Sequence, residues 1–532
     1  MADTEKAFVV SSSADSNPVT RVSSVQRDDP NGTVQHQHHF SLLSAIGLAF
    51  AILNSWTAMA ASLNLALPSG GPTAVIWGVV VSGIGDLCIV LSLAEICNVY
   101  PTSGGQYHWA YVLSPPSWAP LISWINGWFA VAGWWALTAS GGSLAGDFIT
   151  GIIALLHPGY TVQRWHIFLV YIAFVIGAAL LNIFFVRLLP FIDRAALFWS
   201  LAGAIIISIT VLACQGSGGE FQDAEFVFGR FINEVGWSDG VSWLIGLLQS
   251  AFGLTAYDAV AHLVDEMPDA AVNAPKAMIM SVVIGSTSSF VFLVVLLFCL
   301  TDVDAVISSS AGALLEIMYQ ATRSKAGAVS LLMFPVVCMA FATQSILTTA
   351  SRMTYAFARD GGLPFSPFFA RHHHGLGVPV NAILLTTVLV VIFGLIFIGS
   401  SSALNAILSS SVVGLNISYS TPIVLLLVRG RRILDEPVPI HGIKSGAAGG
   451  ERRFNLGPVW GPIINAVGLA FAVITTVFFL FPPALPVTSS NMNYTIVVFG
   501  IVMIASAITW FTDGRKNFKG PKDFVHGAPI EK

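Results

Sequence analysis

Gln249-Ser250-Ala251-Phe252-Gly253-Leu254-Thr255-Ala256-Tyr257-Asp258 is the stretch on which the reading of this chain turns. It sits inside an apolar run from about 241 to 263, long enough to cross a bilayer core, which needs ~20 residues of helix. Yet it places Gly, Thr, Tyr and Asp at membrane depth. Backbone in hydrocarbon must satisfy its own hydrogen bonds, so irregular backbone is tolerated only where protein or a water-filled cavity surrounds it. A carboxylate at that depth is expensive and marks function by default. The stretch therefore predicts a broken membrane helix with a polar interior.

Working outward, about twelve segments have the length and apolarity of membrane spans: 41–66, 75–99, 120–156, 166–186, 191–214, 241–263, 277–300, 327–357, 378–399, 403–428, 458–481 and 493–511. The third is too long to stand upright and must tilt or project beyond the bilayer. The first carries a second interruption, Asn54-Ser55-Trp56-Thr57, followed by Ser62, Asn64 and the turn Pro68-Ser69-Gly70-Gly71-Pro72. Interruptions in spans one and six are what a five-plus-five inverted repeat requires, with solute held between the two breaks. Free N–H groups at a half-helix N-terminus attract an anionic group, and free carbonyls at the opposite end attract a cation. A zwitterion or an organic cation suits that arrangement.

The fold class expected is an all-α polytopic membrane protein. About twelve transmembrane helices form an inverted-repeat core with discontinuous helices 1 and 6, plus two peripheral helices. The chain divides into a disordered cytosolic tail at 1–40, the ten-helix transport core at 41–428 and a cytosolic loop at 429–457. Two peripheral helices at 458–511 and a cytosolic tail at 512–532 complete it.

Composition agrees. Of 532 residues, 55% are hydrophobic and only 10% charged, against about a quarter charged in soluble domains. So little charge cannot solvate a globular surface, and lipid must cover much of it. The 14 Trp and 36 Phe suit interfacial belts and lipid-facing packing. A net charge of −4, without a basic patch interleaved with aromatics, excludes a nucleic-acid partner. With the N-terminus cytosolic, all but four of the 24 Lys and Arg fall on the cytosolic side, the exceptions being Arg164, Arg230, Arg323 and Lys325. That bias supports an even number of spans with both termini inside. The polar N-terminus argues against a cleaved signal peptide and leaves the first span as insertion signal.

Cys88, Cys97, Cys214, Cys299 and Cys338 lie in or beside apolar segments without close pairing, and read as buried hydrophobes rather than disulfides or metal ligands. His36, His38 and His39 belong to the polar tail, and His372-His373-His374 to a solvated loop. No metal or cofactor is expected. Asn493-Tyr494-Thr495 is a glycosylation sequon on the outer side, close to the bilayer. An HExxH helix, a nucleophile elbow and a P-loop are all missing from the sequence, which disfavours an enzyme and excludes an ATP-driven pump.

Several stretches are similar to the amino acid–polyamine–organocation superfamily. They are Ala94-Glu95-Ile96 with Tyr100-Pro101-Thr102-Ser103-Gly104-Gly105-Gln106-Tyr107, and Ser351-Arg352-Met353-Thr354-Tyr355-Ala356-Phe357-Ala358-Arg359-Asp360-Gly361-Gly362-Leu363-Pro364 with Gly377-Val378-Pro379. Phe226-Val227-Phe228, Gly236-Trp237-Ser238-Asp239-Gly240, Tyr257-Asp258-Ala259-Val260-Ala261-His262, Glu266 and Asn273-Ala274-Pro275 resemble the fungal amino acid/choline permease branch, which includes γ-aminobutyrate and choline permeases. The resemblance implies secondary transport across the plasma membrane, often with the proton as coupling ion. It implies a substrate site made of Ser55, Trp56, Thr57 and Ala58 at the first break, and of Phe252, Gly253, Leu254, Thr255 and Tyr257 at the sixth. Two departures stand out. The first break reads Asn-Ser-Trp-Thr-Ala instead of the common Gly-rich form, and Trp56 suits cation–π contact with a methylated or secondary amine. Some bacterial relatives carry a coupling Lys on the fifth helix, whereas Ala195-Ala196-Leu197-Phe198-Trp199-Ser200 has none.

Asp258 is the expected coupling or gating acid. Glu95, Glu266, Arg352 and Arg359 sit at cytosolic helix ends, where like-placed charges form gates in relatives. Asp86 in the second span suits a cationic solute or a neighbouring helix, and Asp147 an outer vestibule. Trp134 and Trp135 line the path or pack. Gln344, Ser345 and Thr348 share a face of the eighth helix. The expected function is a permease for a small amine-bearing solute such as choline, γ-aminobutyrate or another amino acid. The alternatives are a carrier of an amine-containing secondary metabolite and a solute sensor that does not transport. The expected partners are that solute and the lipid bilayer; oligomeric state is left open.

Overall fold

A computed structural model describes residues 42–373, 375–399, 402–435 and 452–522. The 1–40 tail with its three histidines, His374 and Lys444 lie outside the described residues. Among those described, ten helices are long and apolar enough to cross a membrane. The shorter apolar helices Ala45–Ala61 and Val380–Gly394 fall where the first and ninth spans are expected. The β pairing described consists of isolated bridges, Ser69 with Asn233 and His373 with Val378. The protein is an all-α multi-pass membrane protein.

The third span, Ala119–Leu156, has 38 residues. At ~1.5 Å per residue it is roughly 57 Å long, well beyond a ~30 Å hydrocarbon core, so it tilts or projects beyond the bilayer. It packs along the tenth span, Ala403–Arg429, and the eighth, Lys325–Arg359. The second span, Gly71–Val99, packs along the seventh, Ala270–Phe298. The pairings two with seven and three with eight join elements five spans apart, as two repeats of five would. The eleventh, Trp460–Phe478, lies against the second and tenth, and the twelfth, Thr495–Thr509, against the third and tenth. The outer surfaces are apolar, with Phe198 and Ile209 on the fifth span and Ile501, Ile504 and Ile508 on the twelfth exposed. Lipid is the solvent that such faces require.

Both expected interruptions are present. Helix Leu42–Leu53 ends at Asn54, whose left-handed backbone (φ 41°, ψ 42°) separates it from Ser55–Ala61. Left-handed backbone is costly for most side chains but tolerated by Asn. In the sixth span, helix Leu248–Leu254 stops at Thr255, Ala256 takes φ 84°, and Tyr257–Glu266 continues as ten residues of 3-10 helix. Runs of 3-10 helix beyond three or four residues are uncommon and often mark a hinge. The irregular backbone is narrower than the sequence suggests. Ser55 to Ala58 form the first turn after one break, and Gln249 to Leu254 are still helical before the other.

Candidate functional site

The two breaks face each other. The Gln249 amide donates to the Met59 carbonyl at 2.7 Å, tying the sixth span to the half-helix after the first break. Close approach is permitted by glycine. A Cβ on Gly253 would lie 2.5 Å from Met59 Cγ. One on Gly285, in the seventh span, would lie 2.4 Å from Ser55 Oγ and 3.3 Å from Leu254 Cδ2, so this single position touches both breaks. Asn54, Ser55, Thr57, Gln249, Thr255 and Tyr257 are all buried.

These buried groups have unused hydrogen-bonding capacity. Asn54 Nδ2, Ser55 Oγ and Gln249 Oε1 have no partner among the described residues, while Tyr257 faces Asp86 and Thr57 faces the Cys338 thiol. Buried polar groups are normally satisfied, and an unsatisfied one costs about 1–3 kcal/mol. Three of them, at two chain breaks that touch each other, are groups that a small polar solute would complete.

Immediately beyond the sixth break, Asp258 is held by three elements. Tyr419 of the tenth span donates to Oδ1 at 2.5 Å. Gln106, from the short helix Gln106–Leu113, donates to Oδ2 at 2.9 Å. His262 Nε2 lies 3.1 Å from the same oxygen, and its Nδ1 lies 3.0 Å from the Ser103 carbonyl. A neutral imidazole donates at one nitrogen only, so the His262 tautomer sets whether the ring donates to the Ser103 carbonyl or to Asp258. Trp134 meets the His262 ring edge-on at 5.8 Å, and Tyr257 lies against Tyr419 at 5.0 Å. Asp86 is buried beside Tyr257.

A model of the family described as amino acid permease matches residues 40–504. The chain belongs to this family. It is 40% identical over 458 residues, covering 85% of this chain and 96% of the relative, to an inferred amino acid/polyamine transporter of Macrophomina phaseolina. It is 34% identical to the choline transporter of Saccharomyces cerevisiae, over 92% of this chain and 84% of that protein. It is 31% identical to an amino-acid permease of Arabidopsis thaliana, over 90% and 92% respectively. The protein is a transporter of the amino acid–polyamine–organocation superfamily, acts on amino acids or amines, and is not an enzyme.

The permease distributes the remaining residues unevenly. Ser55, Thr57, Gly253, Leu254, Thr255 and Tyr257 lie at the facing breaks, with Ala58 one turn on and Phe252 one turn before. Trp56 is engaged by other spans: its indole N–H donates to Ser200 of the fifth span at 2.7 Å, and its ring lies 4.6 Å from Phe292 of the seventh. Glu266 pairs with Arg352, Nε to Oε1, at 2.9 Å. Glu95, expected near Arg352 and Arg359, instead pairs with Arg431 and, at 3.3 Å, with Arg452. Arg359 lies 3.7 Å from Asp360. Burial works against the Asp360 carboxylate. The His108 hydrogen bond and charge, the Arg359 charge and the Tyr107 hydroxyl nonetheless hold it below its ordinary range.

Gln344, Ser345 and Thr348 are occupied with one another and with Asn182 and Asp193 of the fourth and fifth spans. Trp135 donates to Thr354 at 3.0 Å. The five cysteines are free, Cys88 and Cys214 partly exposed and the rest buried. Asn493 of the sequon is buried and donates to the Phe479 and Phe481 carbonyls, which closes it to glycosylation. Tyr419, Gln106 and Asp193 were not among the residues singled out in the sequence. His262, four residues after Asp258, and Gln106 lie within quoted motifs but were given no role there.

Proposed function

We propose that this permease is a proton-coupled secondary transporter. It carries choline, γ-aminobutyrate or another small amine-bearing solute across the plasma membrane, with both chain ends cytosolic. The observation that carries the reading is the pair of facing breaks with the unpartnered buried polar atoms of Asn54, Ser55 and Gln249 at them. In this reading Ser55, Thr57, Phe252, Thr255 and Tyr257 contact the solute. Ala58, Gly253 and Leu254 shape the space, and Trp56 supports the first break from behind. The relatives' names, an amino acid/polyamine transporter and a choline transporter, share the amine.

Asp258 is the coupling acid of this account, with His262 beside it. A proton on Asp258 Oδ2 lets that oxygen donate to His262 Nε2 while His262 Nδ1–H donates to the Ser103 carbonyl, so gaining or losing the proton reverses the hydrogen bond between Asp258 and His262. Because Asp258 follows Ala256 by two residues, that reversal takes place at the hinge. Glu266 and Arg352 close the cytosolic side as a breakable ion pair, with Glu95 anchoring the end of the second span. The test is uptake by permease-deficient cells expressing the chain. The panel is labelled choline, γ-aminobutyrate, polyamines and neutral amino acids at two external pH values. Saturable uptake of one solute, stronger at low pH, is the expected result. Absence of uptake with protein present at the cell surface refutes it.

A further inference from the structure

A polar cavity of about 290 Å³ lies away from the breaks on the face opposite the Lys- and Arg-rich one. Ala61 lines it and ends the half-helix that begins at Ser55. At ~1.5 Å per residue the cavity is about 10 Å along that half-helix from the first break. The third span contributes Leu144, Asp147 and Phe148, the start of the fourth contributes Arg164, and the loop before the eighth contributes Ser310.

Asp147 and Arg164 are the charged side chains lining this cavity. They form no ion pair with each other, and neither side chain has a hydrogen-bond or ion-pair partner among the described residues. Arg164 is exposed at the rim and Asp147 is half-buried on the wall. A carboxylate within a membrane helix that lacks a partner is a costly arrangement, and here its open side faces a cavity. Opposite charges in one cavity that leave each other unpaired complement a ligand carrying both. The size, at the lower end of the roughly 300–1,000 Å³ typical of ligand pockets, suits a small amine or amino acid.

We propose that this cavity is an outer recruitment site. The Asp147 carboxylate receives the ammonium group of the solute, and the Arg164 guanidinium receives the carboxylate when the solute has one. The solute is held here before it passes along the half-helix to the break. The site rests on the amine-transport reading above for the identity of its ligand. It separates two substrate types: a zwitterion engages both charges, a quaternary or primary amine without a carboxylate engages Asp147 alone.

The test uses cells lacking their own permeases, expressing the full chain at measured surface level, and the labelled solute that the wild type transports best from the panel above. Asp147→Asn raises KM about tenfold, as expected for loss of one charge-assisted contact, with the effect on KM rather than on maximal rate, and Asp147→Glu restores most of the affinity. Arg164→Gln raises KM for γ-aminobutyrate or an amino acid and does not raise that for choline or a polyamine, which it frees from a like charge. Ser310→Trp, in an exposed loop, fills the cavity without removing a charge and raises KM for either type. KM within twofold of wild type for Asp147→Asn and Ser310→Trp overturns the recruitment site while leaving the transport function standing. If Asp147→Asn fails to reach the surface, the Ser310→Trp and Arg164→Gln results decide on their own. Wild-type protein that moves none of the panel overturns the amine reading and the ligand assigned here with it.

Discussion

Gly285→Ala tests the geometry of the paired breaks with one methyl group. The added Cβ would lie 2.4 Å from Ser55 Oγ, 3.2 Å from Ser55 Cβ and 3.3 Å from Leu254 Cδ2, where ordinary contact begins at 3.4 Å. The hydroxyl overlap dominates, and the other two contacts are tight by only a few tenths of an ångström. Overpacking of this kind costs about 1–3 kcal/mol. Because the overlap is with one atom, removing that atom should relieve it. Ser55→Ala in the Gly285→Ala background is expected to recover more than half of the lost thermal stability, a non-additivity of the size seen for residues in contact. Solute affinity should behave differently. Ser55→Ala, Gly285→Ala and the double variant should all raise KM, since each removes or displaces the same hydroxyl. The assays are thermal unfolding of the purified protein in detergent and saturable uptake in cells. A Gly285→Ala protein that melts and transports like wild type would refute the packing of the breaks. Recovery of both stability and KM in the double variant would refute a solute contact at Ser55.

Asp258→Asn should flatten the pH dependence of uptake, and an unchanged profile at normal surface expression would exclude a coupling role. Trp56→Ala should cost about 3–5 kcal/mol of stability, as for a buried aromatic ring. Trp56→Phe keeps a ring but loses the Ser200 hydrogen bond, about 1 kcal/mol, and should leave KM unchanged; a raised KM would show that the indole meets the solute after all. Asp360 titrates below its ordinary range in the folded protein. Its contribution is therefore complete above about pH 4, the unfolded carboxylate range, and lost as pH falls through the folded value. Asp360→Asn should lower the melting temperature at neutral pH, with the difference narrowing in strong acid. A difference constant over that range would contradict the sign.

The breaks were legible because their signal is local. Polar and small residues at membrane depth have few explanations, and Asn54 and Thr255-Ala256 lie inside the two stretches quoted. The partners were not legible. Tyr419 is 161 residues from Asp258 and Arg431 is 336 from Glu95, and no periodicity connects such positions. Trp56 shows a different limit. Sequence places its Cα at the break, but the side chain's direction depends on Ser200 and Phe292 from two other spans. Gln344, Ser345 and Thr348 read as a polar face open to a path until Asn182 and Asp193 are seen to occupy them. The sequon at Asn493 was visible as a motif, while the burial that closes it belongs to the tertiary fold.

The most direct test of the central claim uses the full chain purified and reconstituted in lipid vesicles, with the membrane potential clamped and a pH gradient imposed, acid outside. Labelled choline and γ-aminobutyrate are supplied separately. The account predicts that one of them accumulates above its external concentration, that collapse of the gradient releases it, and that Asp258→Asn abolishes the accumulation while solute exchange persists. Equilibration without accumulation would contradict proton coupling, and no entry of either solute would contradict the assignment of these amines as its cargo.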